Sequence, residues 1–203
     1  YFLPRHQLVL ALYGSTSALG SFSDRDFDAA LDTMLHSSSH SYNPPAWVYH
    51  SMRSIGAAIF GGAQALATHT AQATAMALPG YYLTALVPFL LALSLCEQAR
   101  TLPVAERAAV LDTIDQSHLP WLQSRAADAP ANFAHLLRWI EAERAWAGDD
   151  VWAAGAAFDA AVRDAATRQR PWHCALITER AGLFRLAQGM QATGRPLIEQ
   201  ACN

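Results

Sequence analysis

Two acids beside a glycine are the clearest candidates for an ion or phosphate site. Gly148, Asp149 and Asp150 stand between two alanine-rich apolar runs. A phosphate-binding loop of the Walker type ends in Lys followed by Ser or Thr, and this sequence contains no Lys. A calcium loop needs oxygen ligands at alternate positions, but Val151 and Trp152 follow the acids. We therefore predict a corner between two helices, where Gly148 takes the positive φ that stops the first helix and the acids begin the second.

Three aspartates near the start of the chain imitate the first half of a calcium loop. Asp24, Asp26 and Asp28 have the alternate spacing of such ligands. Ala29 stands where that loop requires glycine, and Leu35 stands where it requires the closing glutamate. We interpret the acids as the start of a helix, where the helix dipole favours negative charge.

Two histidines, His36 and His40, have the four-residue spacing of metal ligands on a helix. Three serines separate them and no third ligand is near in the sequence, so a solvated loop is the favoured interpretation. The sequence therefore predicts no metal site and no cofactor.

A histidine beside a cysteine could be a base beside its nucleophile. His173 precedes Cys174, but adjacent residues on a helix point away from each other, and the local sequence has no oxyanion-loop character. We predict a packed cysteine beside a surface or capping histidine. His135 lacks the acidic residue and downstream proline of a histidine-kinase phosphorylation box. No catalytic residue is predicted, and we expect this segment not to be an enzyme.

The other charged and aromatic residues suit helix surfaces and cores. Charges interpreted as helix-surface residues, whose pairs contribute about 0.2–0.5 kcal/mol each, are Glu141, Glu143, Arg144, Glu179 and Arg180. Tryptophans on mostly apolar faces, expected to be core residues, are Trp47, Trp121, Trp139, Trp146, Trp152 and Trp172. Several of them lining one concave face would make a protein-binding groove.

Composition excludes some partners. The net charge is −3, and the 14 basic residues are all Arg and scattered, so no basic stripe predicts nucleic-acid binding. Cys96, Cys174 and Cys202 are far apart, and an odd number of cysteines argues against a disulfide framework. We expect a reducing, cytoplasmic setting in which each cysteine is a small apolar residue.

One apolar stretch could be a membrane span. Residues 54–96 carry no Asp, Glu, Lys or Arg, and 81–96 are strongly apolar. A spanning helix needs roughly 20 continuous apolar residues, whereas this run is shorter and Pro88 interrupts it. We favour a buried helix of a soluble protein over a membrane span.

Residues that typically begin or end helices recur along the chain. A helix is expected to stop at Gly14, and Asn43 is expected to cap a helix that begins with Pro44. From there helices come in pairs, with corners near residues 62, 102, 148 and 189, about 40 residues apart. The sequence predicts an all-α fold of stacked antiparallel helical hairpins, an α-solenoid of about 8–10 helices.

The expected organisation is a single helical-repeat domain over 1–203. Residues 1–42 are leading helices and a loop, and 43–203 form four helical hairpins. Because the sequence starts at Tyr1 and stops just after an apolar run, we expect it to be an excerpt of a longer chain.

The third hairpin partly follows the tetratricopeptide pattern. Ala142 and Ala154 would lie where its two helices cross, with Phe158 at the aromatic position and Ala161 three residues on. The usual early tryptophan and terminal proline are missing, so we describe the hairpin as tetratricopeptide-like.

Short motifs span nearly the whole chain, most firmly residues 121–203. They are Trp121-Leu122, Asn132-Phe133, Glu141-Ala142-Glu143 leading to Gly148, Phe158-Asp159-Ala160-Ala161, Glu199-Gln200-Ala201-Cys202 and the upstream segment 12–28. In these motifs the chain resembles the helical-repeat region of large bacterial signalling proteins. Those proteins join a serine/threonine-kinase-like domain, an AAA-type ATPase, helical repeats, a GAF domain and a sensor histidine kinase of the two-component type.

The resemblance implies a place in a parent protein rather than an activity. In such proteins ATP binding belongs to the ATPase module and phosphotransfer to the kinase domains, and none of their motifs occurs here. We therefore expect a non-catalytic scaffold that makes intra- or intermolecular protein contacts between the ATPase and the kinase end.

Three alternatives stay open. The helices of 54–96 could enclose an apolar pocket for a small-molecule effector, lined by Phe60, Met76, Tyr81, Tyr82 and Phe89. The same architecture could belong to an ATPase-type transcription regulator. An all-helical enzyme would need polar side chains that converge in a cleft, which the scattered histidines and acids do not favour.

Overall fold

The computed structural model describes residues 3–23, 27, 31, 43–76 and 81–202, and over these residues the protein is helical and contains no strand. The predicted all-α class is therefore confirmed. In chain order the α-helices are α1 (Leu3–Leu12), α2 (Pro44–Phe60), α3 (Ala63–Ala75), α4 (Tyr82–Thr101), α5 (Val104–Thr113), α6 (Leu119–Asp128), α7 (Pro130–Ala147), α8 (Val151–Ala166), α9 (Pro171–Ala187) and α10 (Gln191–Ala201). A π-helical turn, Ile114–His118, joins α5 to α6.

Local capping residues set several of the helix ends. The Asn43 side chain accepts a hydrogen bond from the Ala46 backbone N–H at 3.0 Å, and Pro44 is the first helical residue of α2. Gly61 ends the same helix with φ +73°, a left-handed conformation that costs glycine little. The helix stop at Gly14, the cap at Asn43 and the corner near residue 62 were all predicted from the sequence and are confirmed.

The corner between α7 and α8 is confirmed, but the prediction for Gly148 is wrong. Gly148 has φ −86°, and the positive φ belongs to Asp149 at +60°. Aspartate tolerates this conformation better than most residues, and the Asp149 carboxylate also pairs with Arg107 on α5. Asp150 caps α8 by accepting a hydrogen bond from the Ala153 N–H at 3.0 Å.

Packing divides the chain into two compact units, residues 1–94 and 95–203, here called the N-terminal and C-terminal units. The boundary falls within α4, between Ser94 and Leu95. In the N-terminal unit α1 and α3 both pack against α2. Large side chains buried there are Phe22, Trp47, Leu66, Leu86, Phe89, Leu90 and Leu93.

In the C-terminal unit, helices that follow one another in sequence pack together from α6 through α10. Ala142 and Ala154, the small residues predicted at the crossings, are fully buried, and so is Ala161. Phe158 is buried as well and stacks on Phe184 with ring centroids 5.3 Å apart. The predicted interior positions of this hairpin are therefore confirmed.

Among the described residues, α4 is the helix that is long and apolar enough to cross a membrane, by length and composition only. About half of its apolar window, 50%, is buried inside the protein. The preference for a buried helix over a span remains a prediction.

Candidate functional site

Buried and half-buried side chains of the C-terminal unit form a row of contacts between α7 and α9, starting at Arg170, the residue that precedes α9. We call this row the α7–α9 ladder. Three of its rungs are polar: Asn132 Oδ1 lies 2.5 Å from Arg170 Nη2, His135 Nε2 lies 2.8 Å from His173 Nδ1, and Glu143 Oε1 lies 2.6 Å from Arg180 Nε. The fourth rung is aromatic, with the ring centroids of Trp146 and Phe184 5.6 Å apart. Each rung joins residues 37 or 38 positions apart in the sequence. A constant separation over four rungs means that α7 and α9 run parallel and side by side.

Glu143 is the centre of the ladder. Its side chain is fully buried, and both of its oxygens are occupied by donors. Oε1 accepts from Arg180 Nε at 2.6 Å and from Trp139 Nε1 at 3.2 Å. Oε2 accepts from Arg100 Nη1 at 2.6 Å and from Arg180 Nη2 at 2.9 Å. The carboxylate thus ties α4, through Arg100, to α7 and α9.

The charges around Glu143 keep it ionised. Burial by itself raises the pKa of Glu143. The charge and hydrogen bond of Arg180, the charge of Arg100 and the hydrogen bond of Trp139 outweigh burial and lower the pKa to about 2. Glu97 Oε1 is 3.1 Å from Arg180 Nη1. The negative charges of two carboxylates therefore offset the positive charges of two guanidiniums in this cluster.

An aromatic ring completes the cluster. The guanidinium carbon of Arg100 is 4.2 Å from the centroid of Trp146, and that of Arg180 is 5.6 Å from it. A cation over an indole face is stabilised by the ring quadrupole, more strongly where water is excluded. Trp146 therefore packs against both arginines while they bind Glu143.

The interpretation of Glu143 and Arg180 as surface charges is wrong. Glu143 is fully buried, and the Arg180 side chain is only 17% exposed. The sequence did contain a signal for the burial of Glu143, because this residue falls on the helical face of Leu136, Trp139 and Ile140. All three of those residues are buried. The arginines that compensate it lie 37 and 43 residues away, so helix-local reasoning could not find them.

The histidine rung corrects the prediction for His173. His173 is fully buried, not at the surface or in a cap, and so is His135. Their outer ring nitrogens, His135 Nδ1 and His173 Nε2, have no hydrogen-bond partner among the residues that the structure describes. Burial, with Arg170 and Arg168 and against the charge of Asp164, lowers the pKa of His135 to about 4. Burial, with His135 and Arg170, lowers the pKa of His173 to about 3.

A second histidine pair lies in the N-terminal unit. His50 on α2 and His69 on α3 face each other with their Nδ1 atoms 2.9 Å apart. Arg53 Nε donates to His69 Nε2 at 3.4 Å. Burial, followed by the charge of Arg53, lowers the pKa of both histidines to about 4.

A pocket of about 290 Å³ lies beside this pair in the N-terminal unit. Its walls include Leu19, Gly20, Arg53, Ala57 and Phe60. Of the pocket residues predicted from the sequence, only Phe60 lines it. Tyr81 and Tyr82 are 55% and 46% exposed, and Phe89 is buried in the core.

Other candidates from the sequence do not form a site in the part of the chain that the structure describes. Asp24, Asp26, Asp28, His36 and His40 lie outside the described residues. Elsewhere, no group of three or more His, Cys, Asp or Glu residues is placed to hold a metal ion, within the residues described.

The cysteines and tryptophans only partly follow the predictions. Cys96 is buried, Cys174 is half-buried and Cys202 is exposed, and all three are free thiols. Trp47 and Trp139 are core residues as predicted, but Trp152 is 91% exposed at the start of α8.

Comparison of the chain with family models, with curated proteins and with solved structures gave no match in any of the three.

Proposed function

We propose that the chain is a non-catalytic helical-repeat scaffold of the α-solenoid type, which makes protein contacts inside a larger signalling protein. The observation that carries this proposal is the constant separation of 37 or 38 residues along the α7–α9 ladder. In a repeat protein, equivalent helices of successive hairpins lie side by side with one repeat length between partners. The ladder has this property, and its separation is close to the spacing of the helix corners.

The use of reactive side chains in the C-terminal unit also supports a scaffold. Glu143, His135 and His173 are fully buried, and they bind residues of a neighbouring helix. A general acid, base or nucleophile has to reach a substrate. In the proposed scaffold these groups instead fix how one hairpin sits on the next.

A contact surface needs an exposed anchor, and Trp152 has the required character. Tryptophan is enriched among the residues that dominate protein–protein binding energy. Trp152 is 91% exposed on α8, while the neighbouring Ala154 and Phe158 face the core. We propose that the surface around Trp152 binds another domain of the parent protein or a signalling partner.

Site-specific photo-crosslinking in the full-length parent protein tests this proposal. A benzophenone side chain at Trp152 is expected to crosslink to another domain or protein, and the same probe at Arg163, exposed farther along α8, serves as the matched control. No crosslink from position 152 in the assembled parent would refute the proposed contact surface and leave the helical packing untouched.

The pocket in the N-terminal unit favours a second candidate, a small-molecule sensor. Its volume of about 290 Å³ is near the lower end for ligand pockets, about 300 Å³. Walls that combine apolar side chains with Ser21 and the guanidinium of Arg53 suit a small carboxylate with a short apolar tail. Short-chain fatty acids are expected to raise the thermal midpoint of the wild type and not of Arg53→Gln; no shift in the wild type would exclude this class of ligand.

A further inference from the structure

The His135–His173 rung holds two buried imidazoles with one ring nitrogen of each facing the other. Their facing nitrogens, Nε2 and Nδ1, are 2.8 Å apart, and the ring centroids are 4.9 Å apart. Two neutral imidazoles satisfy this geometry when one carries the N–H and the other accepts it. Both rings are fully buried, so water cannot replace the bond.

A shared proton fits this geometry better than a metal ion does. Zinc–nitrogen bonds of about 2.0–2.1 Å at tetrahedral angles place two ligand nitrogens roughly 3.3 Å apart, with lone pairs converging on the metal. Here the nitrogens are closer and face each other. Among the described residues there is also no third ligand in a metal-binding arrangement.

We propose that the His135–His173 rung is an acid-released latch, which holds α9 against α7 while both rings are neutral and lets α9 separate when they take up protons. The first added proton keeps the N–H···N bond but leaves a buried cation. The second turns the facing nitrogens into two N–H donors, so the bond is lost and two buried charges repel each other.

The charges around the rung oppose the added protons. Arg168 and Arg170, at the corner between α8 and α9, disfavour a cation on His135. Asp164 on α8 favours one, but it already pairs with Arg168 at 2.7 Å and lies 3.9 Å from Arg138 of α7.

The helices on either side of the ladder add little charge at the rung. On α6, Arg125 and Asp128 pair with each other at 2.8 Å. The charged residues of α10 are Arg195 and Glu199. Gly194 and Ile198, which immediately precede these two residues, both pack against Gly182 of α9, more than two turns along that helix from His173.

The pH range in which the latch opens follows from the difference between the histidine pKa values of the folded and the unfolded chain. Burial lowers the pKa values of His135 and His173 to about 4 and about 3, whereas the unfolded chain titrates near the model value of 6.5. Stability from the neutral pair is therefore complete above pH 6.5 and is lost as the pH falls toward 4. Uptake of two protons changes the opening equilibrium by up to about 100-fold per pH unit in that window.

Hydrogen exchange of the full chain, read by mass spectrometry between pH 7 and 4.5 and corrected for intrinsic rates, tests the latch. Wild-type α9 and α10 are expected to lose protection about 10- to 100-fold per pH unit below pH 6.5, while α7 and α8 stay protected. In the double variant His135→Gln/His173→Gln, whose side chains take up no proton, this pH dependence is expected to disappear.

Two controls keep the latch falsifiable. His6→Gln changes an exposed histidine on α1 and is expected to leave the profile unchanged. If the double variant does not fold, His173→Gln alone is expected to reduce the slope to about tenfold per pH unit. The proposal is overturned by a folded double variant with the wild-type profile, or by α7 and α8 losing protection together with α9 and α10.

Discussion

At the scale of single residues, the decisive feature is a carboxylate whose residue type suggests the surface but whose position on the helix points to the core. Glu143 stands in a run of helix-favouring charges, yet it shares the helical face of the buried Trp139 and Ile140. Its burial depends on Arg100 and Arg180, which tertiary packing brings to it. Removing one member of such a cluster leaves the others buried and uncompensated.

Neutralising Glu143 is therefore expected to be costly. We expect Glu143→Gln to lower the free energy of unfolding by about 3 kcal/mol, because Arg100 and Arg180 lose their shared counter-ion. Urea unfolding followed by circular dichroism at pH 7 measures it. The matched control is Glu106→Gln, an exposed carboxylate on α5, for which a change within about 0.5 kcal/mol is expected. Equal effects of the two substitutions would contradict the buried ionic cluster.

At the scale of helices, the sequence predicted most corners, because capping is a local property. Asn43-Pro44, Gly61 and Gly189 act on their own neighbours, so residue type was sufficient there. At Gly148-Asp149 the choice of the left-handed residue involves Arg107, 42 positions from Asp149. That contact is absent from any local pattern, so residue type alone points to Gly148 instead of Asp149.

The crossing of α9 and α10 depends on two glycines that local reasoning did not single out. A Cβ at Gly194 would lie 2.8 Å from the Leu186 side chain and 3.1 Å from the Gly182 carbonyl oxygen. A Cβ at Gly182 would lie 2.8 Å from the Ile198 side chain. The two helices therefore touch through their backbones at this crossing.

Substituting alanine at these glycines separates packing from helix propensity. Gly194→Ala is expected to lower the free energy of unfolding by about 1–3 kcal/mol, because the added methyl overpacks the crossing. Gly155→Ala on α8 is the matched control, since among the described residues its Cβ would meet Phe184 alone, at an ordinary 3.7 Å. Alanine there is expected to stabilise by about 0.5–1 kcal/mol. Thermal and urea unfolding measure both; a stabilising Gly194→Ala would contradict the close crossing.

At the scale of the whole molecule, the helical class could be predicted, but the cross-links between helices could not. Alanine-rich runs and regular corners indicate helical hairpins, and Ala142, Ala154 and Phe158 occupy the predicted interior. The polar rungs join residues 37 or 38 positions apart, which periodicity along one helix cannot detect. The corner spacing of about 40 residues was the available signal, because a repeat of that length places equivalent side chains opposite each other.

The most direct test of the repeat packing is the coupling between Glu143 and Arg180 across α7 and α9. A double-mutant cycle of Glu143→Gln and Arg180→Gln, followed by urea unfolding, is expected to give a coupling free energy of at least about 1.5 kcal/mol, with Glu106 and Arg180 as an uncoupled control pair. A coupling within about 0.5 kcal/mol of zero would contradict the parallel ladder and, with it, the proposed helical-repeat scaffold.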